Sequence, residues 1–211
     1  MEISQSNCKG KREKIWYGDP EGCDLDEMVT DYRHRYLEDT EKWLSTLSTY
    51  TDFICGEPNI REAPGVKKYC KNLHQYRMPN DTVDKAHEKL KEAALDRYDS
   101  FADIHAAVHE VAKEIDNFGM LATYDFSQRY AYSRGILPDG VYLHAGVATG
   151  ARELIKMGYD LKIVDLGDRG SMIELPSLPS PIAGLGTLHS ENFLCIYKDL
   201  LAKLAASRCN N

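Results

Sequence analysis

SFADIHAAVHEVAKEIDN, residues Ser100 to Asn117, decides the fold class. Ile104, Val108, Val111 and Ile115 recur at spacings of three and four, one apolar stripe of an α-helix. Ser100 stands where a hydroxyl caps the first free N–H groups, and Gly119 breaks the helix beyond its end. The same period returns on both sides. Upstream, Asn80 or Asp81 caps a predicted helix from Thr82 to Tyr98, with Val83, His87, Leu90, Ala94 and Tyr98 on one face. Downstream, helices are predicted over Leu121 to Ser133, stopped at Arg134-Gly135, and over Ala145 to Met157, stopped at Gly158.

Farther out, Leu25, Met28, Val29, Tyr32, Tyr36, Trp43 and Leu47 predict a long helix from Asp24 to Ser48, capped by Asp24. Residues 50–79 are punctuated by glycine and proline, with a short helix expected over Val66 to Gln75. Val141-Tyr142-Leu143 reads as extended chain or as the opening of the next helix. The remaining β-like material is Leu161 to Val164 and Met172 to Leu175, which residues 165–171 can close into a small hairpin. Leu175 to Gly186 reads as an extended strap. Ser190 caps a last helix to Ala206, with Phe193, Tyr197, Leu200 and Leu204 facing inward. The expectation is an all-α fold, a single bundle of five or six main helices with at most one small β-hairpin. Residues 1–22 form an irregular tail and 23–211 one helical domain.

At 211 residues and 43% hydrophobic content the chain can bury a full core without disulfide or metal staples. The six cysteines form no Cys-x-x-Cys pair, and reduced thiols are expected. No apolar run reaches membrane-spanning length and the N-terminus lacks a secretory core, so a cytoplasmic location without membrane contact is expected. A formal net charge of −7 disfavours nucleic acid and anionic lipid as partners. The basic run Lys9 to Lys14 reads as a solvated tail.

Three constellations can carry chemistry. His105 and His109, four residues apart, share a helix face and define a minority metal option. Ala106 stands where the H-E-x-x-H pattern needs glutamate, and no third ligand is placed, so two half-buried histidines are the alternative. In Tyr124-Asp125-Phe126-Ser127-Gln128-Arg129, Asp125, Gln128, Arg129 and Tyr132 share a face of a helix rich in aromatics. That helix is expected to be buried on more than one side, which makes the Asp125–Arg129 pair either a structural pair or part of a site. In residues 141–152, His144 precedes a helix whose small residues admit either a ligand or another helix.

Two antiparallel helices joined by a short turn would let Asp125, Arg129, His144 and Arg152 line one pocket. The reading gives Asp125 and His144 catalytic roles. Arg129, Arg152, Gly146 and Tyr124 would bind an anionic small molecule, a carboxylate or phosphate. An interaction module without catalysis is the alternative. No cofactor is identified: Walker, dinucleotide, kinase and nucleophile-elbow motifs are absent.

Tyr124-Asp125 to Arg129, Val141 to Gly146 and Gly150 to Arg152 resemble the Y-D-x-x-x-R, V-Y-L-H-A-G and G-A-R core of a group of uncharacterised bacterial proteins. The likeness continues to Phe193–Lys198 and implies no activity. Leu143 to Leu154 resembles a helix-hairpin-helix element, and Tyr124 to Arg129 the aspartate-bearing helix of the related DNA glycosylases. That resemblance implies nucleic-acid binding or base excision, with Ala148 in place of the second hairpin glycine and no catalytic lysine before it. His144-Ala145-Gly146 is similar to the H-G-T strand of ADP-ribosyltransferases, whose fold is rich in β-strand.

Overall fold

The computed structural model describes residues 24–38, 40, 41, 60–63, 66–69 and 78–209. The chain is mostly helical, with seven α-helices among these residues. Helix α1, Leu25–Tyr32, begins as expected: the Asp24 carboxylate accepts the Glu27 N–H at 2.9 Å. A π-helical turn, Arg33–Leu37, continues it. Glu38, Thr40 and Glu41 are helical as well; the remainder of the long helix expected to Ser48 lies outside the described residues, as do the tail and cysteines 8, 23, 55 and 70.

Strands β1, Ile60–Ala63, and β2, Val66–Tyr69, pair antiparallel with Ile60 opposite Tyr69. The helix expected from Val66 is therefore corrected over these four residues: Val66–Tyr69 is a strand paired with Ile60–Ala63. The remainder of that expectation, 70–75, is outside the described residues.

Helix α2, Asn80–Glu92, stops short of Tyr98 because Ala94 takes a left-handed conformation, φ 46°. Helix α3 is Phe101–Lys113, and the Ser100 hydroxyl accepts the Asp103 N–H. Helix α4, Met120–Ser133, is buried at every position from Ala122 to Ala131. Strand β3 is Val141–Tyr142, so this stretch is extended. Helix α5, Ala145–Lys156, follows, then β4, Ile163–Asp165, and β5, Ser171–Ile173. The expected hairpin forms and gains β3 as a third strand: β5 is central, with Val141 opposite Ile173 on one side and Ile163 opposite it on the other. The strap carries a short helix α6, Ser180–Ala183, and the last helix, α7, Gly186–Cys209, starts four residues before its expected cap.

Two apolar cores result. The first gathers α2, α3 and α4 around Leu90, Ile104, Val108 and Phe126. The second gathers α1, α5, α6 and α7 around Met28, Leu154, Ile182 and Phe193. Strand β3 joins them. Successive side chains of a strand point to opposite faces, so Val141 enters the second core and Tyr142 the first.

Two glycines set the packing of α5 on α7. A Cβ on Gly146 would stand 2.5 Å from Cys195 Sγ, and one on Gly150 2.5 Å from the Leu194 carbonyl oxygen. At these two positions the absence of a side chain serves close helix packing.

Candidate functional site

His144 occupies the residue before α5 in extended conformation, φ −113°, and its side chain does not cap the helix. It turns to α7, where its Nε2 lies 2.5 Å from Glu191 Oε1, both side chains about 5% exposed. The packing explains the meeting. Glu191 precedes Leu194 and Cys195 by three and four residues, so all three share one face of α7. The glycine contacts draw that face onto α5 and carry Glu191 to the histidine. A neutral ring that donates from Nε2 keeps Nδ1 as its acceptor.

His144 lines a narrow recess of about 10 Å³, room for about one water-sized group, together with His105, Met120, Tyr124, Tyr142, Leu143, Arg169 and Ser171. The recess lies at the seam of the two cores, since Tyr124 and Tyr142 belong to the first and Leu143 packs on the second. Its wall is a run of rings. Tyr142 is 4.7 Å from His105 and 5.7 Å from Tyr124, and Tyr124 is 5.2 Å from His144, centroid to centroid. The Tyr124 hydroxyl accepts from Gln128 Nε2 at 3.0 Å. Burial pushes the Tyr124 phenol well up, and the Glu191 and Asp125 carboxylates add to it. Burial likewise raises Tyr142, with Asp139 adding. Both phenols stay protonated at neutral pH.

His105 is 1% exposed and stacks on Phe101. Burial lowers its imidazole to about 4, with His109 and Arg169 adding. Its Nδ1 has no hydrogen-bond partner among the described residues.

Arg169 arrives from the turn between β4 and β5. Gly167 and Gly170 flank it with φ 68° and 87°, left-handed values that glycine adopts without strain. The neighbouring Asp168 anchors the turn to α3: its Oδ2 is 2.6 Å from Lys113 Nζ and 3.7 Å from His109 Nε2. Lys113 holds the Asp168 carboxyl below its usual range. The β3–β5 pairing places Ser171 beside Leu143, whose N–H donates to the Ser171 carbonyl at 2.8 Å.

The structure brings together Tyr124 and His144 of the expected pocket residues. Asp125 and Arg129 are buried in α4, with Oδ2 3.9 Å from Nη2, and neither lines the recess. Two other candidates, Arg152 and Gly146, are not among the lining residues either. Arg152 is exposed, because it falls on the face of α5 opposite the packed glycines. Gly146 is half-buried and packs against Cys195. His105 and His109 part company: one joins the ring wall, the other meets Asp168. No group of three or more His, Cys, Asp or Glu residues placed to hold a metal ion occurs among the described residues. Cys195, a free thiol, is pushed up to about 11 by burial and Glu191, which leaves it protonated and poorly nucleophilic.

Glu191 and Arg169 are the site residues that the sequence reading missed. Glu191 has no local signal, being 47 residues from His144. Arg169 has one, the glycines on both sides of Asp168-Arg169, which read as a bare turn. Among the described residues no helix is long and apolar enough to cross a membrane. No family model, no curated protein and no solved structure matches the chain.

Proposed function

We propose that this chain binds a small anionic molecule in the recess between its two cores. Arg169 supplies the counter-charge, and His144, braced by Glu191, is the group that exchanges a proton with the ligand. The observation that carries the reading is the His144–Glu191 pair, nearly buried yet bordering a recess with a guanidinium among its lining residues. A carboxylate that fixes an imidazole's orientation and tautomer is the usual preparation of a general base or acid. Location at the seam of two packed units is where ligand recesses concentrate. The anionic ligand is retained from the sequence reading, with Arg169 in the role assigned there to Arg152. The recess has a volume of about 10 Å³, room for about one water-sized group, so the ligand would reach it with a single small anionic head.

Thermal unfolding with a panel of small carboxylates and phosphates tests this. A ligand at 100 times its Kd stabilises the folded state by about 2.7 kcal/mol. For a chain of this length that raises the melting temperature by roughly 5–10 °C. Arg169→Ala should abolish the shift, and duplex DNA should cause none. A panel without any shift, or a shift that survives Arg169→Ala, would refute the reading. Tight duplex binding with a steep salt dependence would favour the helix-hairpin-helix resemblance instead.

A further inference from the structure

The closed recess, about 10 Å³, has room for about one water-sized group. An anion's head can join Arg169 and His144 there only if part of the wall gives way. Most of the wall is fixed. Tyr124 and Tyr142 are built into the first core, Leu143 packs on the second, and His105 is sealed against Phe101 and Tyr142. His144 is held by Glu191. What remains is the turn between β4 and β5, which carries Arg169, with Met120 beside it.

That turn is put together as a separate piece. Its hydrogen bonds run within it and to the end of β4. The Leu166 N–H donates to the Gly170 carbonyl at 2.9 Å, the Gly170 N–H to the Gly167 carbonyl at 3.1 Å, and the Gly167 N–H to Asp165 Oδ1 at 2.9 Å. Left-handed Gly167 and Gly170 stand near its two ends, where glycine gives the backbone most freedom. A Cβ on Gly170 would stand 3.0 Å from Met120 Cε, so the turn abuts a flexible side chain that can yield. Towards α3 the turn is held by side chains, the Asp168 carboxylate against Lys113 at 2.6 Å and His109 at 3.7 Å. Lys113 also meets Glu110 at 2.7 Å and so keeps a partner when Asp168 leaves. Both Asp168 and Lys113 are exposed, and an exposed ion pair is weak and screened by salt.

We propose that residues 166–170 are a lid over the recess, latched to α3 by Asp168, and that a ligand's head reaches His144 when the latch releases. What enters rests on the anion-binding reading above; the motion is tested without it. Diethyl pyrocarbonate labels accessible neutral imidazoles. His105, 1% exposed, lines the recess and comes within reach of the reagent when the lid lifts. His189, bonded through Nδ1 to the Tyr32 hydroxyl of the second core at 3.0 Å, is the control. Mass spectrometry of the full chain at neutral pH follows both labels. Asp168→Asn and Lys113→Met should each label His105 about two- to fivefold faster than the native protein, the release expected of an exposed pair, while His189 keeps its rate. Sodium chloride at about 1 M, which screens charges beyond about 3 Å, should bring the native protein close to the variants and leave Asp168→Asn as it was. Equal His105 rates in all three proteins would overturn the lid. The same holds if His189 accelerates in step with His105, since the whole molecule would then be loosening. Failure of the anion panel described above would remove the ligand and leave the lid, so the two failures are distinct.

Discussion

His105 is a neutral histidine sealed against Phe101 and Tyr142, and its proton affinity couples the recess to stability. Its folded value of about 4 lies below the 6.5 of an unperturbed imidazole, with burial the main cause. Between those values the unfolded chain holds a proton that the folded chain does not. Stability therefore rises with pH across the window: the contribution is fully present above 6.5 and lost as pH falls through 4. The size is roughly 3 kcal/mol. His189, also buried and lowered by burial, contributes with the same sign. His105→Phe, which keeps a ring against Phe101, should flatten the acid limb by about that amount. Urea midpoints at several pH values from 7.5 to 4.5 measure it, and an unchanged acid limb would show that His105 is not the group responsible. Position 105 was legible only as one of a pair of histidines on a helix face. Which of the two entered the aromatic wall was not, because residues one turn apart on a helix present the same spacing signal.

At the scale of elements, the contact of α5 with α7 is set by glycine. Alanine in place of glycine within a helix normally gains up to about 1 kcal/mol from propensity. Here the gain is outweighed, since a Cβ at 150 would meet the Leu194 backbone oxygen, which cannot rotate away. Gly150→Ala should destabilise by about 1–3 kcal/mol, the usual cost of overpacking. Gly146→Ala meets the Cys195 side chain instead and should be relieved by a second change, Cys195→Ala. Denaturant unfolding of the three variants reads the difference. A neutral Gly150→Ala, or no relief in the double variant, would show that the helices have room to separate. Because Glu191 lies on the contacting face of α7, Gly150→Ala should also loosen its hold on His144. The sequence offered both uses for these glycines, helix contact and ligand approach. Local spacing is the same in either case, and only the arrival of α7 chooses between them.

For the whole molecule, two cores share one short strand. Val141 packs into one and Tyr142 into the other, while β5 ties both to the turn bearing Arg169. Opening either core strips cover from the other at the recess. Urea unfolding followed by far-ultraviolet circular dichroism and by tyrosine fluorescence should therefore give one coincident transition. Two separated transitions would mean that β3 does not couple the cores. Most of the strongest helical periodicities became helices, because a stripe of apolar residues is a property of the chain itself. The short strands were harder to read: two or three residues carry too little alternation to separate extended chain from the start of a helix.

By itself the sequence determined that the protein is mainly helical, where α3, α4 and α5 run, that α4 is buried on several sides, and that His144 and Tyr124 are unusual enough to name. These follow from period, caps and composition, which act within a few turns of chain. The tertiary structure alone decided that His144 meets Glu191, that Arg152 faces outward while Arg169 reaches the recess, and that His109 turns to Asp168. These pairings join residues far apart in the chain. They follow from which helix faces fit closely enough to touch, and here that fit depends on two missing side chains, at Gly146 and Gly150.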